Sequence, residues 1–304
     1  MTAPATASGP RRERLMRWAT YAAVGLATVL ISVKAAAWFA TGSVVVLSSL
    51  IDSLLDGAAS LINLFAVRHA LTPADAEHRF GHGKVEPLAA LGQAVFIGAS
   101  SVFILLEAVD HLIAPKPVEH AWIGIGVMIF AIVSTFALLR FQTHVVRQSG
   151  SLAISADRLH YAGDLLMNGS VITSLVLSLW LDLPWTDPLF GIAIALYLMR
   201  TAFGIGRKSF DVLMDRELPD EDRLRITRIA AAHPEVKAVK DLRTRGSGPQ
   251  IFIQFHTLLS PDLTLARAHA VADQIEADLL QAFPGAEILI HQEPLMPATT
   301  GPNA

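Results

Sequence analysis

Four ionisable residues stand where charge is expensive. Asp52 and Asp56 interrupt the apolar run SSLIDSLLD, and His160 and Asp164 interrupt a second one at LHYAGD. Each pair is spaced i,i+4, so on a helix both side chains fall on one face. Ionisable groups inside a bilayer are costly and mark an ion or proton pathway. Together the two pairs offer three carboxylate oxygens and one imidazole nitrogen. That is a complete tetrahedral set for zinc, with bonds of roughly 2.0–2.2 Å. Calcium or magnesium would require more oxygens or several retained waters. The chain has no cysteine, so thiolate sites and disulfides are excluded and any metal must be held by oxygen and imidazole. Spacing alone supports a metal site or a proton site. Asp110 and Asp182 read as single acids that cap or snorkel, Asp157 as a cap at the start of its helix, and Lys34 and Glu107 as interfacial snorkelling groups.

The elements that must position these residues are membrane spans. With 52% hydrophobic and 17% charged residues among 304, the chain is too apolar for an ordinary soluble protein of this size. Six apolar stretches near 16–40, 44–68, 86–113, 119–143, 152–181 and 185–207 reach the roughly 20 residues a spanning helix needs. The first is too long for a cleavable signal peptide. Arg11, Arg12, Arg14, Arg17, Arg68, Arg79, Lys84, Arg140, Arg147, Arg158, Arg207 and Lys208 flank one side, against Lys116 and the acids Asp182 and Asp187 on the other. The positive-inside rule therefore places both termini in the cytoplasm. A net charge of −3 gives no reason to expect nucleic acid as a partner.

Past about Phe210 the texture becomes that of a soluble domain. LPDEDRLRITRIAAAHP reads as a helix, VKAVKDLRTRGSGPQIFIQFHTLL as two strands about a Gly-Ser-Gly-Pro turn, LTLARAHAVADQIEADLLQAF as a second amphipathic helix, and AEILIHQEP as a last strand. The expected architecture is an all-α six-helix transmembrane bundle followed by a small α+β (αββαβ, metallochaperone-like) cytoplasmic domain. The expected boundaries are 1–15 for a cytoplasmic N-terminal segment, 16–208 for the bundle, 209–296 for the cytoplasmic domain and 297–304 for a disordered tail.

Two further groups could bind metal. Asp75, His78 and His82 in TPADAEHRFGHGKVEP fit either a solvated polar loop or a wrap around one cation by a carboxylate and two imidazoles. In the C-terminal part, His291 and Glu293 share one face of a strand, His256 lies on another strand, and His269 lies on the helix between. Taken singly, each of these four reads as a surface residue. His69, His111, His120, His144 and His233 fit no ligand pattern and read as surface residues.

These motifs resemble the cation diffusion facilitator family, most closely its bacterial zinc and ferrous-iron efflux branch. The resemblance covers nearly the whole chain and is densest in GSVVVLSSLIDSLLDGAASLINLFAVRHALTPADAEHRFGHGKVEPLAAL. It implies a homodimeric inner-membrane exporter of divalent metal, driven by proton antiport through alternating access. Asp52, Asp56, His160 and Asp164 match the transport site in its zinc/cadmium form, which gives zinc as the cargo and ferrous iron, cadmium or manganese as alternatives. The resemblance also implies a loop site at Asp75, His78 and His82, and a cytoplasmic cluster at His256, His269, His291 and Glu293 that bridges subunits. Lys84 and Asp215 match residues that interlock the two subunits. Lys240 departs from the pattern, standing where that branch has histidine, which leaves the cluster with one metal or none. Glu293 replaces the more usual aspartate.

Two rivals fall outside transport. An intramembrane metalloprotease needs a zinc-bound water and a general base, but HExxH is absent and four protein ligands leave no open position. A non-transporting metal sensor would keep the cytoplasmic cluster and lose the membrane set, the reverse of what is seen.

Overall fold

The computed structural model describes residues 9–41, 44–113, 122–181, 186–248 and 250–296. Lys116, His120 and Asp182 lie outside them. The chain divides into two compact units, 1–210 and 211–304.

The first unit holds six helices: α1 (Gly9–Thr41), α2 (Val44–Ala70), α3 (Val85–Ile113), α4 (Trp122–Ser149), α5 (Leu152–Leu181) and α6 (Thr186–Leu213). Among the described residues, α1, α2, α3, α4 and α6 contain stretches long and apolar enough to cross a membrane. The remaining helix, α5, is 30 residues long and carries the fifth apolar stretch read from the sequence. Large apolar side chains such as Phe39, Ile62, Phe65, Phe103 and Phe203 face outward. That surface would be untenable in water and is what a lipid-facing helix presents.

Inside the bundle, small and β-branched residues let the helices approach. Met16, Val67, Val145 and Ile154 form one buried cluster, and Ile97, Leu159, Ile194 and Leu198 form another. Two glycines mark close contacts. A Cβ at Gly57 would come within 3.0 Å of Ile31 on α1, and one at Gly163 within 3.2 Å of Leu198 on α6. Both glycines adjoin aspartates singled out above.

The start of α5 is fixed by polar groups. Ser151 Oγ accepts from the Ile154 N–H at 3.2 Å, the usual N-cap arrangement. Buried Glu86, from the first turn of α3, accepts the Leu152 N–H at 2.8 Å. Asp157 is therefore no cap: it lies well inside the helix.

The second unit follows the expected order: α7 (Asp220–Ala231), β1 (Ala238–Ser247), β2 (Gln250–Leu259), α8 (Leu265–Ala282) and β3 (Glu287–Pro294). The sheet runs β1-β2-β3, with β1 antiparallel and β3 parallel to β2. The parallel pair needs a crossover, which α8 supplies. Ile226, Ile253, Phe255, Val271, Ile275 and Leu279 build its core. The β1–β2 register shifts between Lys240 and Arg243, and Asp241 there adopts φ 52°, a left-handed conformation tolerated by aspartate.

Glu86→Ala should leave the Leu152 N–H unpaired and lower unfolding stability by about 1–3 kcal/mol. The check is the thermal unfolding midpoint in detergent, where Glu86→Gln, which keeps an acceptor, recovers part of the loss.

Candidate metal centre

Asp56 projects from the middle of α2, and His160 and Asp164 project from successive turns of α5. His160 Nε2 lies 2.9 Å from Asp56 Oδ1 and 3.8 Å from Asp164 Oδ2. One ligand atom from each of the three residues falls within 4.8 Å of the others. Asp52, one turn before Asp56, lines the same cavity of about 390 Å³, but its carboxylate lies outside that convergent set. The arrangement offers an imidazole and carboxylates to one cation in a low-dielectric bundle, where attraction is weakly screened.

Neighbouring groups hold these side chains in place. Tyr161 OH donates to the Ala23 carbonyl at 3.3 Å and accepts from Ser60 at 2.8 Å, tying α5 to α1 and α2 beside His160. Asp157, one turn before His160 and 1% exposed, receives Gln142 Nε2 from α4 at 2.7 Å and Gln93 Nε2 from α3 at 3.4 Å. Lys34 does not snorkel. Its ammonium donates to Ser53 Oγ at 2.7 Å and to the Ser49 carbonyl at 3.0 Å, and it lines the cavity. A basic residue within an apolar run was itself the available signal. Glu107 and Asp110 are exposed on α3.

Asp75, His78 and His82 also converge within 4.8 Å. Asp75 Oδ1 accepts the N–H groups of His78 at 2.6 Å and Glu77 at 2.9 Å. These bonds, the His78 one foremost, hold its carboxyl below the usual aspartate value and keep it ionised. His82 is 7% exposed, with its ring 4.6 Å from that of His78 and 4.5 Å from that of His69. His69 thus borders this cluster, a proximity that linear spacing gave no means to see.

In the second unit His256, His291 and Glu293 converge. Register explains it: Lys240, His256 and His291 are direct partners across the three strands. His269 is exposed on α8, off the stripe that packs on the sheet, with Asp273 3.8 Å away. It stays apart from the cluster within one chain. Asp215, at φ 55°, pairs with Arg245 at 3.5 Å in this unit. His233 contacts Gln274 at 2.8 Å, and His144 contacts Gln148 at 3.1 Å.

Residues 20–214 match the cation efflux transmembrane domain, and residues 218–295 match the cation efflux protein cytoplasmic domain. The chain belongs to the cation efflux (cation diffusion facilitator) family. Among its relatives, the cation-efflux pump FieF of Klebsiella pneumoniae subsp. pneumoniae is 46% identical over 281 residues, 92% of this chain and 93% of the relative. FieF of Yersinia enterocolitica serotype O:8 is 47% identical over 285 residues, 94% of this chain and 95% of its own. A solved structure described as a putative zinc transporter CzrB is 36% identical, covering 26% of this chain and 99% of that one, with a TM-score of 0.25. As a cation efflux protein the chain moves divalent metal cations out of a compartment and is a transporter, with a membrane domain and a small sheet-containing cytoplasmic domain.

Within the cation efflux cytoplasmic domain, Lys240 is engaged rather than idle. Its ammonium donates to Glu293 Oε2 at 2.6 Å, while His256 Nδ1–H donates to Oε1 at 2.6 Å. The lysine, and then the histidine, hold the Glu293 carboxyl below its usual value, and Glu293 raises Lys240 above its own. The depressed acid contributes stability above the ordinary glutamate range and loses it as pH falls through the lowered folded value. The raised base contributes below the ordinary lysine range and loses it as pH rises through the elevated folded value. The pair should therefore persist across the whole neutral range and weaken only at the two extremes. Unfolding against pH should show that plateau, and Lys240→Met should make the fall at its alkaline edge slightly shallower.

Proposed function

We propose that this cation efflux protein exports zinc from the cytoplasm across the inner membrane in exchange for protons, working as a homodimer with both termini cytoplasmic. The observation that carries the reading is the meeting of Asp56, His160 and Asp164 within 4.8 Å in a cavity among membrane helices. The cytoplasm-facing state takes the ion with deprotonated carboxylates and a neutral imidazole, and Asp52 closes on it as fourth ligand. Rocking of the helices then opens the site to the far side, where protons compete for the same atoms. Histidine titrates in the physiological range and must be neutral to bind metal, so acid on the far side drives release.

The imidazole favours zinc or cadmium over manganese, which suits all-oxygen sites. Ferrous iron remains the second reading, favoured by the shared oxygen and imidazole preference. In this reading Asp75, His78 and His82 hold a second ion at the loop. His256, His291 and Glu293, with His269, form the cluster that bridges subunits, where an incoming ion must displace Lys240 from Glu293. Lys84 and Asp215 interlock the two protomers.

Uptake of zinc, iron, cadmium and manganese into proteoliposomes tests this. Removing a direct ligand by Asp56→Ala should reduce zinc transport at least about 100-fold, beyond the 10–100-fold typical of losing an outer partner. His160→Ala should weaken zinc transport and flatten its pH dependence, and His160→Asp should shift preference toward manganese. Wild-type behaviour of Asp56→Ala and His160→Ala would end the reading.

A further inference from the structure

We propose that Lys34 is a fixed counter-cation of the intramembrane site, setting its net charge so that one divalent ion neutralises it. The proposal rests on the metal-site reading given above. Lys34 lies on α1 inside an apolar run, and its ammonium does not reach for an interface. It ends on two oxygens of α2: the Ser49 carbonyl, three residues before Asp52, and Ser53 Oγ, three residues before Asp56. Ser53 is buried. The ammonium is thereby fastened to the turns that carry both carboxylates, and among the described residues lining their cavity it is the sole lysine or arginine.

The consequence is a matter of charge. Asp52, Asp56 and Asp164 carry three negative charges when ionised, and a neutral His160 adds none. Lys34 reduces the total to two. A divalent ion then leaves the loaded site neutral, and a bilayer interior tolerates a neutral assembly far better than a charged one. Without the ammonium, the loaded site would keep one uncompensated negative charge, and it would grip any cation harder. Lys34 thus restrains affinity, which permits release, and disfavours ions of higher charge.

The test is zinc titration of the full-length protein in detergent, on a background of Asp75→Ala and His291→Ala so that the intramembrane site is read alone. Lys34→Gln should bind zinc at least about tenfold more tightly, since a repelling charge in a poorly screened site is gone. Terbium(III) should compete better against zinc in that variant than in wild type, and zinc turnover in proteoliposomes should fall. Lys34→Arg should stay near wild type on all three. The isosteric Lys34→Met repeats the charge removal if the glutamine variant folds poorly. If the lysine merely fastens α1 to α2, Lys34→Gln and Lys34→Met will bind zinc equally or more weakly, with unchanged terbium competition; that result overturns the proposal. Asp56→Ala in the same assay separates the two ideas. Loss of binding there with unaltered Lys34 variants sinks only the lysine's role, whereas retained binding sinks the site itself and this proposal with it.

Discussion

The contact between His160 on α5 and Asp56 on α2, 2.9 Å long, joins two helices through groups that would each be costly alone in a hydrocarbon medium. Much of the bundle can be understood as arranged around it. Tyr161 fastens α5 to α1 and α2 on one side, while Asp157 gathers amides from α3 and α4 on the other. Glu86 and Ser151 fix where α5 begins. A one-residue slip in either helix would rotate its ligands by about 100° and dissolve the site. The polar groups packed against α5 are therefore read as register marks, in a protein whose apolar surfaces alone would specify register poorly.

The apolar run lengths were enough to foresee the helices, and the i,i+4 spacing put each pair of ionisable residues on one face of its helix, because both signals are local and periodic. The αββαβ order was legible for the same reason. What escaped is what depends on distance in space. Lys34 looked like a snorkelling residue because the chain alone does not say which oxygens lie across from it. Asp157 looked like a cap because the true first turn is set by Glu86, sixty-six residues earlier. Asp52 belongs by spacing to the same set as Asp56, yet its carboxylate is not part of the grouping that falls within 4.8 Å.

The cytoplasmic cluster shows the opposite balance. The alignment of Lys240, His256 and His291 follows from strand register, which a sequence with a bulge after Lys240 does not reveal. Where an imidazole would compete for metal, the ammonium instead saturates one oxygen of Glu293, with His256 on the other. Both oxygens of Glu293 are thus already engaged by partners on neighbouring strands.

Gly57 and Gly163 each stand beside a site aspartate, and each receives a neighbouring helix at a spacing with little room for even one more carbon. Ile31 Cδ1 occupies the notch beside Asp56, so α1 lies close against α2 along the same stretch where Lys34 Nζ meets Ser49 and Ser53. A side chain added at either glycine would have to push that neighbour aside, and the adjoining aspartate would be the first polar group to feel it.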